Sequence, residues 1–477
     1  MRYITKSDLV VVALNSGNLM IGIGVMCLIP LIFDLIYFEF DIISFVIPAA
    51  ISILLGLFFR IYLKDYENKQ IRLKHGMILS SFAWLWASII GGLVFMLSTN
   101  MPPIDAVFES TSALTGTGMT MFVDVEILPH SILFFRALEQ WIGGLGVVVM
   151  VISVLAKPGT VSSKLYQSEA RDERIKPSIK TTLEKTLIIY GIYTVAGIIL
   201  YLLAGMPIFD SICNTFSIVS TGGMSIKNAN MGFYQNDIIY FITIVLMILG
   251  ATSFLVHYKV IKTRGKSLIE DLQFKIIITV IALVTLLLYF LSNIVPIELL
   301  FTVTSAMTTT GANVVSPTAM AGWPSFVIIC IMCLMLTGGS NGSTVGAIKL
   351  VRMITFFKGI YRHVREILSP EGRVVPVKLH GRKIPEKAIS QAGNFITLYM
   401  MFIMFTWALF SLYGYDPFNS LFAAMSLQGN NGLELGIVNN ALNPVLKIVS
   451  MFDMWTGRLE IYPVLITLRA FFEIFKR

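Results

Sequence analysis

The sequence predicts an all-α polytopic membrane protein of about ten transmembrane helices, with two N-terminal helices followed by four helix–pore loop–helix repeats in pseudo-fourfold arrangement. Three observations predict it. The 477 residues are 56% hydrophobic and only 13% charged, and the mean hydropathy is +0.78, too apolar for a water-soluble protein of this size. Ten apolar stretches reach the ~20 residues a spanning helix needs. Four short segments repeat one pattern, a Ser with a Gly six residues later: Ser112-Ala-Leu-Thr-Gly-Thr-Gly118, Ser217-Ile-Val-Ser-Thr-Gly-Gly223, Ser305-Ala-Met-Thr-Thr-Thr-Gly311 and Ser426-Leu-Gln-Gly-Asn-Asn-Gly432.

The candidate spans fall at 10–36, 40–63, 76–98, 131–156, 184–204, 235–260, 274–294, 322–357 (interrupted), 390–413 and 440–470. The Ser/Gly segments end semi-apolar pieces too short to span, lying between the third and fourth, fifth and sixth, seventh and eighth, and ninth and tenth. The repeat extends upstream of them. Thirteen residues before each final glycine stand Asp105, Asp210, Glu298 and Asn419, and ten before it Phe108, Cys213, Phe301 and Phe422. Matches at three offsets in four places indicate an internal repeat. The first of these offsets is expected near the start of each pore helix, where a carboxylate caps the positive dipole end. The chain then divides into 1–75 (two N-terminal helices), 76–180, 181–270, 271–385 and 386–477, the last four each one pore repeat.

The net charge of +8 is read as Lys and Arg held on the cytoplasmic side rather than as a nucleic-acid surface. Segments 60–75, 157–185, 259–275 and 358–387 are rich in Lys and Arg. With these inside, both termini are cytoplasmic and all four Ser/Gly segments enter from outside. The four cysteines lie in apolar surroundings and behave as small hydrophobes, and no signal-peptide cleavage site is evident. The five histidines are scattered, and no Walker loop or dinucleotide GxGxxG follows a strand. No enzyme chemistry, cofactor or protein-held catalytic metal is expected.

Runs of Thr, Ser and Gly between apolar helices let the backbone extend, and four such runs can make a ring of carbonyl oxygens around a dehydrated cation. The candidate ion-binding residues are Thr115, Gly116, Thr117 and Gly118; Ser220, Thr221, Gly222 and Gly223; Thr308, Thr309, Thr310 and Gly311; and Gly429, Asn430, Asn431 and Gly432. The C-terminal ends of the short helices add partial negative charge. A second feature, Thr337-Gly-Gly-Ser-Asn-Gly-Ser-Thr-Val-Gly346, interrupts the eighth span. Irregular backbone at membrane depth must be buried in protein or line a watery cavity, which fits a movable plug beneath the filter as well as a break serving packing. Third, Arg458 lies inside the last span. It is either an electrostatic barrier in a cation path or an interfacial arginine, and chemistry alone leaves both open. Arg458 and Glu460 point to opposite helix sides and are not expected to pair, while Lys349 and Arg352 are expected to mark the cytoplasmic end of their helix. The stretch Leu138–Gly146 supplies small residues for helix packing.

Together the four segments, Gln140-Trp-Ile-Gly-Gly-Leu-Gly146, Gly338-Gly-Ser-Asn-Gly-Ser-Thr344 with Ile348-Lys349, and Gly457-Arg-Leu-Glu460 resemble the membrane subunit of Trk-type potassium uptake systems, in the Trk/Ktr/HKT superfamily. The resemblance covers nearly the whole chain, and the two N-terminal helices favour the Trk branch. It implies a homodimer in the cell inner or plasma membrane, each protomer with its own K⁺ pore, and cytoplasmic nucleotide-binding regulatory subunits of the RCK/KTN type. It also implies that Gly118, Gly223, Gly311 and Gly432 are tied to K⁺ selectivity, and that Gly338, Gly339, Ser340, Asn341, Gly342 and Ser343 with Arg458 form a gate below the filter. One departure stands out. The family's fourth filter commonly reads Asn-Val-Gly followed by Pro or Gly, where this chain has Asn430-Asn431-Gly432-Leu-Glu434, an extra amide and a carboxylate near the outer mouth. A Na⁺-conducting or weakly selective transporter is the alternative within the same fold. Channel-like passage and coupling to H⁺ or Na⁺ are both compatible with these residues.

Overall fold

A computed structural model describes residues 5–66, 72–146, 179–370, 375–379 and 382–475. Most of the basic segment 157–185 and the end of the expected span 131–156 therefore lie outside the described residues. Helices dominate, and the strands among the described residues are one antiparallel pair, Lys378–Leu379 with Arg382–Lys383.

The N-terminal helix Lys6–Leu28 starts with a capping box, Thr5 accepting from the Asp8 amide while the Asp8 carboxylate accepts from the Thr5 amide. It packs on Ile42–Tyr62 through glycines: a β-carbon on Gly17 would strike the Gly56 carbonyl, and one on Gly56 the Gly17 carbonyl. Such contacts bring apolar helices together where no hydrophobic drive separates helix from lipid. The Asp8 carboxylate also binds Lys74 (2.6 Å) and His75 (2.7 Å), fastening this pair to the helix Leu73–Thr99. In that last helix 72% of the most apolar window is buried, against 17% in Leu272–Leu291, whose mean hydropathy is 2.6. The first is a central strut. The second turns its leucines outward, as a lipid-facing helix does.

Four short helices stand inside this wall: Pro103–Thr115, Ile208–Val219, Pro296–Met307 and Pro417–Gly429. Three begin with Pro and the fourth directly follows Pro207, whose fixed φ suits a helix start. The residues at the tenfold offset, Phe108, Cys213, Phe301 and Phe422, are all buried. The expected capping role of the polar offset needs correction. Asp105, Asp210 and Glu298 lie in the first turns, where the dipole favours them, but no side-chain cap bond forms. Instead Asp105 accepts from Lys447 (2.6 Å) and Asp210 from the Tyr234 hydroxyl (2.9 Å). In the fourth helix the cap is Asp416, which accepts from the Asn419 amide.

Among the described residues, six of the expected spans are helices long and apolar enough to cross a membrane. The others are broken, and each is the helix that follows a Ser/Gly segment. His130–Leu145 stops at Gly146. Asp237–Gly250 and the helix starting at Phe254 meet at 105°. Ser325–Thr337 and Leu350–Ile367 flank a long loop, and Pro444–Arg458 and Tyr462–Phe475 flank a short one. All four come at matching places in the sequence, with the helix ending 26 or 27 residues after the final glycine of the preceding segment. Only the third was expected to break, because a hydropathy window counts apolar residues and is blind to backbone continuity.

Candidate functional site

The Ser-to-Gly spacing has a local cause that holds in all four copies. The amide just before each final glycine donates to the carbonyl of the Ser six residues before that glycine: Thr117 to Ser112 (3.0 Å), Gly222 to Ser217 (2.8 Å), Thr310 to Ser305 (3.0 Å) and Asn431 to Ser426 (2.9 Å). This bond turns the chain off the helix end and uses up an amide that would repel a cation. Two positions in each turn are left-handed: Gly116, Thr221, Thr309 and Asn430, with φ from +48° to +71°, and the final glycines, with φ from +73° to +93°. A β-branched Thr in that region is strained, and strain kept at matching places marks a functional constraint.

The four turns close on one another. A β-carbon on Gly118 would collide with the carbonyl oxygen of Gly222, one on Gly223 with that of Thr310, one on Gly311 with that of Asn431, and one on Gly432 with that of Thr117. Each glycine thus abuts the carbonyl one residue before the glycine of the next segment, and the fourth returns to the first. Hydroxyl pairs support the first and third turns, Thr115 with Thr117 and Thr308 with Thr310, each 2.8 Å. In the second, Ser220 Oγ donates to the Ser217 carbonyl, and Gln140 Nε2, from the following helix of the first unit, donates to the Gly222 carbonyl at 2.7 Å. The glycines of Leu138–Gly146 seat that helix: a side chain on Gly143 would enter the Leu114 carbonyl at the end of the first short helix, as one on Gly457 would enter that of Gln428.

Beneath the ring runs the loop Gly338–Lys349. Gly346 N–H donates to Thr309 Oγ1 (3.1 Å), Thr344 Oγ1 meets Thr221 Oγ1 (3.0 Å), and Ala347 N–H donates to the Gly429 carbonyl (3.1 Å). The loop is also tied to the bend in the second unit: Ser340 N–H donates to the Ala251 carbonyl (2.9 Å), Phe254 N–H to the Gly342 carbonyl (3.2 Å), and Thr344 Oγ1 to the Gly250 carbonyl (3.0 Å). Gly339 accepts from Leu350 N–H, Asn341 N–H donates to Gln273 Oε1, and Ser343 Oγ donates to the Ser340 carbonyl. These bonds fasten the loop in this arrangement.

Arg458 ends the first half of the last broken helix and reaches across this floor. It donates to the Thr344 carbonyl (2.6 Å) and to the carbonyls of Gly143 (2.5 Å) and Gly144 (3.1 Å). Its Nη1 lies 4.0 Å from the position a β-carbon would take on Gly116, in the first turn above. Glu460 is not its ion-pair partner in this arrangement: its carboxylate binds Lys349 Nζ (2.7 Å) and Arg352. Lys349 and Arg352, expected as plain helix-end markers, are thus part of a buried three-residue charge cluster.

Two cavities lie on either side. The outer one, about 270 Å³, is lined by Gly118, Gly311, Gly432, Arg136, Lys227 and Glu434 among others. The inner one, about 790 Å³, is lined by Asn341, Lys349, Arg352 and Glu460 among others. They share no lining residue. The extra amide noted in the fourth segment does not reach the mouth, since Asn431 Nδ2 donates to the Ala306 carbonyl at 3.0 Å. Asn430 Nδ2 binds Thr117 Oγ1 (3.1 Å) and the Met454 carbonyl (2.8 Å). Sequence reasoning read Gln140 only as part of a packing stretch, and passed over the buried Arg136–Glu109 pair (2.8 Å) and the three further helix breaks. The signal for the breaks was available as glycines (Gly144, Gly250, Gly457) recurring 25 to 27 residues after each segment's end.

Residues 44–473 match the family TrkH, cation transport protein. An uncharacterized cation transporter of Methanocaldococcus jannaschii is 37% identical over 469 residues, covering 97% of this chain and 96% of the relative. The Trk system potassium uptake protein TrkH of Salmonella typhimurium is 30% identical over 420 residues, 84% of this chain and 86% of the relative. The crystal structure of the potassium transporter TrkH from Vibrio parahaemolyticus superposes with a TM-score of 0.84 at 27% identity, over 96% of this chain and 98% of that one.

Proposed function

The chain belongs to the TrkH family of cation transport proteins, and from that premise we propose that it carries potassium inward across the cell membrane through a pore framed by the four Ser/Gly segments. The observation that carries this reading is the closed contact ring of Gly118, Gly223, Gly311 and Gly432 on the carbonyls of Gly222, Thr310, Asn431 and Thr117. Four carbonyls held at one level by four like turns can replace the hydration shell of a cation. The ends of the short helices add negative potential there. Selection between K⁺ and smaller ions then depends on how firmly the turns keep their spacing, and the Thr hydroxyl pairs and Gln140 supply that firmness.

Below the ring, Gly338–Ser343 and Arg458 act as the gate. A guanidinium opposes a monovalent cation passing at about 4 Å by ~4 kcal/mol at an effective dielectric of 20, and by less where water enters. Opening exchanges the Arg458 bonds to Thr344, Gly143 and Gly144 for other partners, so the arginine and the loop move together. Cytoplasmic basic segments, 358–387 among them, dock a nucleotide-binding subunit of the RCK/KTN type, and two protomers pair with separate pores. Both termini are cytoplasmic in this arrangement. Restored growth on low K⁺, and tracer K⁺ uptake, of a strain lacking its own uptake systems test the reading. Uptake of Na⁺ at a comparable rate would replace it with the weakly selective alternative.

A further inference from the structure

The residues two places beyond the ring glycines are also equivalent by position: Thr120, Ser225, Asn313 and Glu434. All four line the outer cavity, so they form a second polar tier directly outside the glycine ring. Three are neutral and one is a carboxylate. The positive groups of the same cavity are already engaged. Arg136 donates to Glu109 (2.8 Å), to the Ser225 carbonyl (3.1 Å) and to Thr120 Oγ1 (3.2 Å), while Lys227 Nζ sits 4.6 Å from the centre of the Phe233 ring. Glu434 is different. Its Oε2 is closed off from the surface and has no hydrogen-bond partner among the described residues. A buried carboxylate oxygen without a donor is costly, and a cation drawn into the cavity beside it would offset that cost.

We propose that Glu434, with oxygens of Ser225 and Asn313 and the Thr120 carbonyl, forms a binding site for a partly dehydrated monovalent cation at the outer mouth, one step before the glycine ring. This rests on the potassium-uptake reading and adds a recruitment site to it. A single carboxylate raises the local cation concentration without trapping the ion, because the other three oxygens carry no full charge and the paired Arg136 limits the depth of the well. Burial pushes the Glu434 carboxyl up to about 7. The sign follows: above that pH the site is charged and attracts the cation, and below it the carboxyl is protonated and the attraction is lost. Arg136, paired with Glu109, and Lys227 are the other charged groups lining this cavity.

Initial rates of K⁺ uptake against external K⁺, measured on the full chain at external pH above and below about 7, test the site. Acidification should raise the apparent KM of the unaltered protein about five-fold, the scale of one charge a few ångström away in a watery cavity, with the maximal rate kept. Glu434→Gln should show the raised KM at both pH values, and Glu434→Asp should keep the pH dependence. A flat KM in the unaltered protein, or a Glu434→Gln variant with the alkaline KM at either pH, overturns the site while leaving uptake intact. So does a variant that only loses block by external Mg²⁺, which would make this a divalent site. Absence of saturable K⁺ uptake in the unaltered protein would remove the underlying reading itself.

Discussion

The glycine ring and the floor beneath it are built on opposite plans. In the ring, all four units contribute the same hydrogen bond to a Ser carbonyl, the same pair of left-handed residues and the same glycine against its neighbour. In the floor, all four helices end at equivalent sequence positions, yet one unit supplies the loop Gly338–Lys349 and another supplies Arg458. A cation is spherical, and equal ligands on all sides hold it best. A barrier has no such need, because one charge or one strand of chain across the axis suffices. Symmetry is kept in the ring and dropped in the floor, as the proposed division between binding and gating requires.

That contrast can be broken in several ways, and the largest effect is expected in the ring. Ala or Ser at any of Gly118, Gly223, Gly311 or Gly432 must find room against a carbonyl with positive φ, a strain of about 1–3 kcal/mol before any clash. Loss of K⁺ uptake or of K⁺ over Na⁺ preference should follow at all four. One position tolerating Ser with full uptake and Na⁺ exclusion would show the ring to be unequal.

Next comes the floor, where the sign reverses. Arg458→Ala, or removal of several residues of 338–343, should raise tracer K⁺ flux per folded protein by at least about ten-fold, well within the Coulomb term the guanidinium exerts. The effect should be largest without a regulatory partner. If neither variant exceeds the parent protein, the floor is structural.

A smaller effect should sharpen the boundary between the two levels. Gln140→Leu removes the donor to the Gly222 carbonyl and leaves that oxygen free to drift, a change of about 1–3 kcal/mol in local order. Selectivity measured from K⁺ and Na⁺ competition should weaken with the transport rate preserved, and an unaltered ratio would mean the ring keeps its spacing without this buttress. The smallest effect belongs to Asn431→Val, whose amide binds Ala306 rather than the pore: about 1 kcal/mol of stability at most, and the same K⁺ to Na⁺ ratio. A large change in that ratio would place the amide in the ion path after all.

Much of this was legible along the chain. Composition and ten apolar stretches indicated the membrane fold, and the Ser/Gly repeat located the ring because its chemistry is local: a helix end, a turn bond and a glycine all within seven residues. The loop 338–346 was visible because Gly, Ser and Asn are conspicuous inside an apolar run. The breaks at Gly146, Gly250 and Arg458 were not, since one or two glycines hardly change the hydropathy of twenty residues. Capping by Asp105 was misjudged for a related reason. Its competitor Lys447 is 342 positions away, beyond any local pattern.

By itself the sequence determined what each segment can do: which stretches are apolar enough to span, which turns need a residue without a β-carbon, and where irregular backbone must be sheltered. Those are properties of a few neighbouring residues and their solvent. Only the tertiary structure decided which glycine meets which carbonyl, that Arg458 rests on Thr344 and Gly143 while Glu460 binds Lys349 and Arg352, and that Glu434 faces a cavity while Asn431 turns away from it. Such pairings join residues 87 or more positions apart, and they are chosen by the packing of the whole bundle rather than by any segment's own preference.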